Sequence, residues 1–198
     1  MTDKFLIAGL GNPGKTYVGT RHNIGFDAVA ALAAKHRLEF HQRLKWKGSI
    51  AEGKIGGADV ILMMPLTFVN ESGSAVVPAM RYMDVDLSRL LVIVDDIAIP
   101  MGQIRMRTDS SSGGHNGLKS VEEHLQTNRF ARLRIGVGDR KEGDLVSHVL
   151  GRFSQEEQQL VPEILERAVK AIEIWLEKGL NHAMDFANRN PSNPSNGD

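Results

Sequence analysis

Short, solid apolar runs alternate along the chain with longer stretches in which apolar residues return every three or four positions. Lys4 to Leu10 and Leu90 to Val94 are runs of the first kind, each bounded by polar turns, and read as strands. From Ile24 the spacing of Phe26, Val29, Ala30 and Ala33 traces a helical stripe, with Asn23 placed to cap it. Gly48 to Ile55 and Asp59 to Met64, turned at Gly56-Gly57 and stopped by Pro65, predict a hairpin. A helix follows over Ala75 to Met83, a strand over Ile104 to Arg107, and a helix over Leu118 to Leu125. Leu133, Ile135 and Val137 alternate with Arg132, Arg134 and Gly136, the period of a half-buried strand. Gln155 to Lys178 is an amphipathic helix, apolar at Ile164, Leu165, Ala168, Ile172 and Trp175, and it ends at Gly179. No internal repeat appears. Strands and helices in alternation, with a hairpin, predict an α/β fold: one domain with a mixed sheet flanked by helices.

A length of 198 residues fits one domain over residues 1–187. The remaining segment, 188–198, is Asn, Pro, Ser and Gly without an apolar anchor, and is expected to be a disordered tail. Cysteine is absent, which excludes disulfides and thiolate chemistry and suits a cytoplasmic setting. The apolar run at the N-terminus, Phe5 to Leu10, falls far short of the roughly 20 residues a membrane span requires, so no membrane partner and no export are expected.

Formal net charge is zero, yet it is unevenly spread: Arg105 to Lys141 holds eight basic residues against four acids. The compensating acids come later, in Glu156, Glu157, Glu163, Glu166, Glu173 and Glu177. A neutral protein of this kind can still present a basic face to RNA, although solvated surface charge is the commoner origin of such runs.

The polar turns carry the chemistry. Gly9-Leu10-Gly11-Asn12-Pro13-Gly14 has the glycine spacing of a dinucleotide fingerprint, directly after a strand. Pro13 and eight further residues separate those glycines from the helix cap at Asn23, whereas a dinucleotide site opens its helix on the glycines. A nicotinamide enzyme is therefore a poor reading. Asp95-Asp96 closes the strand at Leu90 to Val94, at the carboxyl end where open α/β sheets collect ligands. Two polar turn motifs carry the histidines, Asn12 preceding His22 in the first and Asn116 following His115 in the second, with Asn70 opening a loop of its own. Taken singly, each has an ordinary structural explanation: a capping histidine, or an asparagine forming a turn. The other histidines, His36, His41, His124, His148 and His182, show no metal-ligand spacing, so no metal and no cofactor is assigned.

Taken together and in order, the motifs resemble the bacterial peptidyl-tRNA hydrolase family. Asn12-Pro13-Gly14 with Tyr17 and Thr20-Arg21-His22-Asn23 come first, followed by Pro65-x-Thr67-Phe68-x-Asn70-x-Ser72-Gly73. Asp95-Asp96 through Pro100-x-Gly102, Gly113 to Lys119, Arg132 to Gly138 and Val149 to Phe153 complete the set. The resemblance implies a monomer that hydrolyses the ester between a peptide and the 3′ ribose of tRNA. Its partner would be peptidyl-tRNA, held at the acceptor end and the nascent peptide.

By motif position the resemblance makes His22 the general base and Asp95 the acid that orients it. Asn12, Asn70 and Asn116 would bind the peptide backbone and ester carbonyl, with Asn12 nearest the developing oxyanion. Tyr17 and His115 would line the site, and Arg107 and Arg134 would clamp the terminal tRNA phosphate. Val69, Ala98, Ser110-Ser111-Ser112 and Asp139 depart from the usual family residues without touching the base or its acid. A rival on the same scaffold is a non-catalytic RNA-binding factor of the group II intron splicing kind.

Overall fold

A computed structural model describes residues 3–138 and 145–189, so Asp139 to Lys141 of the basic stretch and residues 190–198 of the expected tail lie outside the described residues. Seven strands form one sheet in the order β2-β3-β4-β1-β5-β7-β6. They are β1 (Phe5–Gly9), β2 (His41–Arg43), β3 (Gly48–Ile55), β4 (Ala58–Pro65), β5 (Leu90–Asp96), β6 (Ile104–Arg107) and β7 (Ala131–Gly136). The central four, β4-β1-β5-β7, run parallel, and antiparallel strands finish both edges, so the sheet is mixed.

Helices cover both faces. α1 (Ile24–Lys35), α5 (Gln155–Lys178) and α6 (Leu180–Ala187) pack on one; α2 (Gly73–Tyr82) and α3 (Asn116–Leu125) pack on the other. Successive residues of a strand point to opposite faces, so Ile7, Leu91, Ile93, Leu133 and Ile135 meet Leu32, Ile172 and Trp175 in the first core. Leu6, Ala8, Val92 and Val94 meet Val76, Leu118 and Val121 in the second. Each such large side chain contributes about 1.5–3 kcal/mol when fully buried.

Several expectations change. β7 is not half-buried but buried along its whole length, because β5 and β6 pair with its two edges and its arginines are taken up by Glu122 of α3, Asp96 and the carbonyls of Ser110 and Ser111. Arg132 is fully buried there, stacked over Phe130 and bonded to Glu122 Oε1 at 2.8 Å. The edge strand β2, the short helix α4 (Leu145–Leu150) and α6 had no sequence assignment. Helix α3 starts two residues before the expected Leu118, since the His115 Nδ1 accepts the Leu118 N–H and caps it. Asn188, assigned to the tail, clasps edge strand β6 by exchanging two hydrogen bonds with the Met106 backbone.

The glycines after β1 have a packing reason. A Cβ on Gly9 would stand 2.0 Å from the Gly25 carbonyl oxygen, and one on Gly25 would stand 2.5 Å from the Leu10 carbonyl oxygen. Strand end and helix start therefore touch backbone to backbone, an approach that only glycine permits at these two positions.

Candidate active site

The carboxyl ends of β1, β4 and β5 converge with the N-terminus of α3 on a cleft of about 300 Å³. His22 enters on the short 3-10 turn Arg21–Asn23 that precedes α1, and Asp95 enters from the last turn-ward residues of β5. His22 Nδ1 lies 2.7 Å from Asp95 Oδ1, with the two residues 9% and 3% exposed. The second imidazole, His115, reaches the same oxygen through Nε2 at 3.1 Å.

The protons on this centre follow from their partners. His115 Nδ1 accepts the Leu118 N–H, so its proton sits on Nε2 and is donated to Asp95. A carboxylate is an acceptor only, so His22 donates from Nδ1; in the neutral ring that leaves the lone pair on Nε2, which has no partner among the described residues. Burial alone would push the Asp95 carboxyl up. Interaction with His115, then with His22, outweighs burial and holds it below the usual carboxylate range. These three side chains also place ligand-type atoms within 4.8 Å of one another. The nitrogens that face Asp95 carry hydrogen-bonding protons and His115 Nδ1 serves the helix cap, so a metal here would have to break all three bonds.

Asn12 is fixed by its neighbours. Asn23 does not cap α1 through its side chain as expected; it grips Asn12 instead, Oδ1 accepting the Asn12 N–H at 2.8 Å and Nδ2 donating to the Asn12 carbonyl at 3.0 Å. The Asn12 Oδ1 accepts the Val69 N–H at 2.9 Å, which assigns the amide: Nδ2 is left without a partner among the described residues, on the cleft wall. Asn70 and Asn116 stand exposed on the rim.

The proposed phosphate ligands separate. Arg134 lines the cleft but is buried, donating to Asp96 Oδ2 at 2.9 Å and to the Ser111 carbonyl. Arg107 is exposed on edge strand β6 and outside the cleft wall. Tyr17, expected to line the site, sits on the preceding 3-10 turn and does not contribute to that wall. Its carbonyl anchors the turn of His22 by accepting the Thr20 N–H and hydroxyl.

Apart from Val69, expected to make apolar contact at the peptide site, the apolar wall had no assignment: Phe68, 56% exposed, with Ile97, Val149 and Leu150. A phenylalanine beside the rim asparagine Asn70 was the available signal. Val149 and Leu150 come from α4, which had no sequence assignment.

A carboxylate-bonded imidazole facing a cleft of carboxamides on an α/β/α fold is an arrangement chemically equipped for hydrolysis. The model of the family described as peptidyl-tRNA hydrolase matches residues 6–195, and the chain belongs to that family. It is 47% identical over 184 residues to a peptidyl-tRNA hydrolase of Caldanaerobacter subterraneus, covering 93% of this chain and 99% of the relative. It is 46% identical to that of Gloeobacter violaceus, covering 92% and 93%. The crystal structure of peptidyl-tRNA hydrolase from Acinetobacter baumannii superposes with a TM-score of 0.88 at 35% identity, covering 95% and 96%. The splicing-factor alternative gains no support from these likenesses. Among the described residues, no helix is long and apolar enough to cross a membrane.

Proposed function

We propose that the chain cleaves the ester of peptidyl-tRNA with His22 as general base, Asp95 as its orienting acid and Asn12 as oxyanion donor. The observation that carries this reading is the 2.7 Å bond from His22 Nδ1 to Asp95, which leaves Nε2 free beside the cleft. Water bound there gives a proton to Nε2 while its oxygen attacks the ester carbonyl carbon. Asp95 stabilises the imidazolium as it forms. The carbonyl oxygen gathers negative charge toward the Asn12 Nδ2, whose N–H groups are aimed by the Val69 bond before reaction begins. The C–O bond to the ribose then breaks, the imidazolium protonates the departing ribose oxygen, and free tRNA leaves with the peptide acid, which gives up its remaining proton to solvent as a carboxylate.

Asn70 and Asn116 offer donors and acceptors to a peptide backbone at the rim, and Phe68, Ile97 and Leu150 offer an apolar wall to its side chains. Arg107 is free to meet a tRNA phosphate at the acceptor end, and Arg134 supports the Ser111 loop from beneath. Tyr17 serves the substrate only at the outer approach. A cytoplasmic monomer, in keeping with the absent cysteine and a substrate made in translation, completes the reading.

The test is release of tRNA from N-acetyl-aminoacyl-tRNA by wild-type and His22→Ala protein, with chelator present. Loss of turnover by ~10²-fold or more in a folded variant is expected for a missing base. Full turnover by His22→Ala would overturn the assignment.

A further inference from the structure

The 3-10 turn that carries His22 is tied to a distant part of the chain by the residue before it. Arg21 is 9% exposed, and its guanidinium donates to the Arg152 carbonyl at 2.7 Å and to Glu157 Oε2 at 2.5 Å while covering the Phe153 ring at 5.2 Å. The Arg21 N–H adds a bond to the Gly151 carbonyl at 3.0 Å, and Thr20 forms a β-bridge with Arg152. A loop of 3-10 geometry has few internal hydrogen bonds to hold its side chains in place. Here the stiffness comes from outside.

Glu157 serves two partners with one carboxylate. Its Oε2 also accepts the Ser154 N–H at 2.7 Å, the return bond of a capping box in which Ser154 Oγ accepts the Glu157 N–H. The start of the 24-residue helix α5 is thereby joined to the turn of His22. The same connection leads directly back to Leu150, which lines the cleft. Arg21 and Glu157 touch neither the cleft nor each other's chemistry with substrate; what they fix is the place of the next residue, His22.

We infer that Arg21 and Glu157 form a positioning pair that aims the His22 imidazole at its water, in addition to holding α5. This rests on His22 being the base. A shift of about 1 Å at a reacting group can cost on the order of 10²-fold in rate, and Arg21 and Glu157, with side chains 11% and 28% exposed, hold the turn that carries that group. Loss of the pair therefore acts on turnover as well as on stability.

Glu157→Gln separates the two duties, because glutamine still completes a capping box but carries no charge for Arg21. The expected result is a fall of about tenfold in kcat with KM nearly unchanged, a shifted His22 ring signal in NMR, and no further loss when combined with His22→Ala. Ser154→Ala should do the reverse, lowering the melting temperature and leaving kcat intact. Unchanged kcat and an unchanged His22 signal in Glu157→Gln would overturn the pair's role, as would the same fractional loss in the His22→Ala background. If Glu157→Gln does not fold, Arg21→Lys gives the same reading, since lysine keeps the charge without the fork that bridges Glu157 and Arg152. Wild-type turnover by His22→Ala would instead sink the assignment of the base, a distinct failure.

Discussion

His22 and His115 donate to one oxygen of Asp95, their ring centres 5.0 Å apart. Only one of the two can act as a base. Protonating His115 at Nδ1 would break the cap on α3, whereas His22 Nε2 carries no structural duty. Under the proposed mechanism the shared oxygen leaves proton transfer to His22 and support of the carboxylate to His115.

His115→Ala should therefore weaken Asp95 rather than remove the base. Because the Asp95 carboxyl is held down in the folded protein, with His115 the first of the influences opposing burial, its removal lets that carboxyl rise. A depressed folded value contributes stability that is present above the unfolded value and lost as pH falls through the folded one. In His115→Ala the stability lost to acid should be smaller and its loss complete at a higher pH than in wild type, with turnover at neutral pH reduced about tenfold. Melting curves between pH 3 and 7 beside a pH–rate profile check both parts, and coincident acid limbs would contradict them.

How much of this was legible depended on whether neighbours along the chain or neighbours in space decide a residue's state. β1, β5, the hairpin at Gly56-Gly57 and α5 follow from local periodicity and turn chemistry, and the structure places them where the pattern did. The polar turns holding His22, Asp95, Asn12 and His115 were visible as unusual chemistry at strand ends, and they do meet. Arg132 and Arg134 misled because alternation with apolar residues looks the same whether a charge faces water or Glu122 and Asp96. Asn23 misled because its partner, Asn12, is fixed by tertiary packing rather than by the helix it precedes. β2 is three residues long, too short for any periodicity to declare itself.

Arg107 and Arg134 should respond differently to removal. Arg107→Ala is expected to raise KM severalfold and reduce the slope of log KM against log salt by about 0.7–0.9, one phosphate contact, without changing the melting temperature. Arg134→Ala leaves Asp96 nearly buried without its partner and the Ser111 carbonyl without a donor, so the melting temperature should fall as well. Equal melting temperatures for the two variants would show that Arg134 is not structural.

Asp27 lies in the first turn of α1, and burial, without a counter-charge, pushes its carboxyl up to about 6. The folded chain therefore holds that proton more tightly than the unfolded one, which titrates near the ordinary 3.8. Ionising Asp27 carries no cost below the unfolded value, a growing cost as pH rises toward about 6, and its full cost above. Asp27→Asn should stabilise the protein by on the order of 1–2 kcal/mol at pH 8, with the favourable charge–helix interaction at the N-terminus offsetting part of the gain. Chemical denaturation at pH 8 and pH 4 tests this: the advantage should shrink toward zero at the lower pH. An advantage independent of pH would mean that the carboxylate charge is not its source.

Asn12→Asp is the sharpest probe of the cleft, because it changes one end of the side chain only. Aspartate retains an oxygen for the Val69 N–H, so the bond that holds the side chain against the wall survives. What disappears is the pair of N–H donors at the other end, replaced by an oxygen bearing negative charge where the ester carbonyl would gather its own. Loss of a single oxyanion donor costs about 10²–10³ in kcat, and a repelling charge should bring Asn12→Asp to at least the upper end of that range. Asn12→Ala loses the donor without adding the charge, and its Val69 N–H is left unpaired, so it should lose less rate than Asn12→Asp but more stability. A kcat for Asn12→Asp within threefold of wild type would remove Asn12 from the oxyanion site and move that duty to Asn70 or Asn116 on the rim.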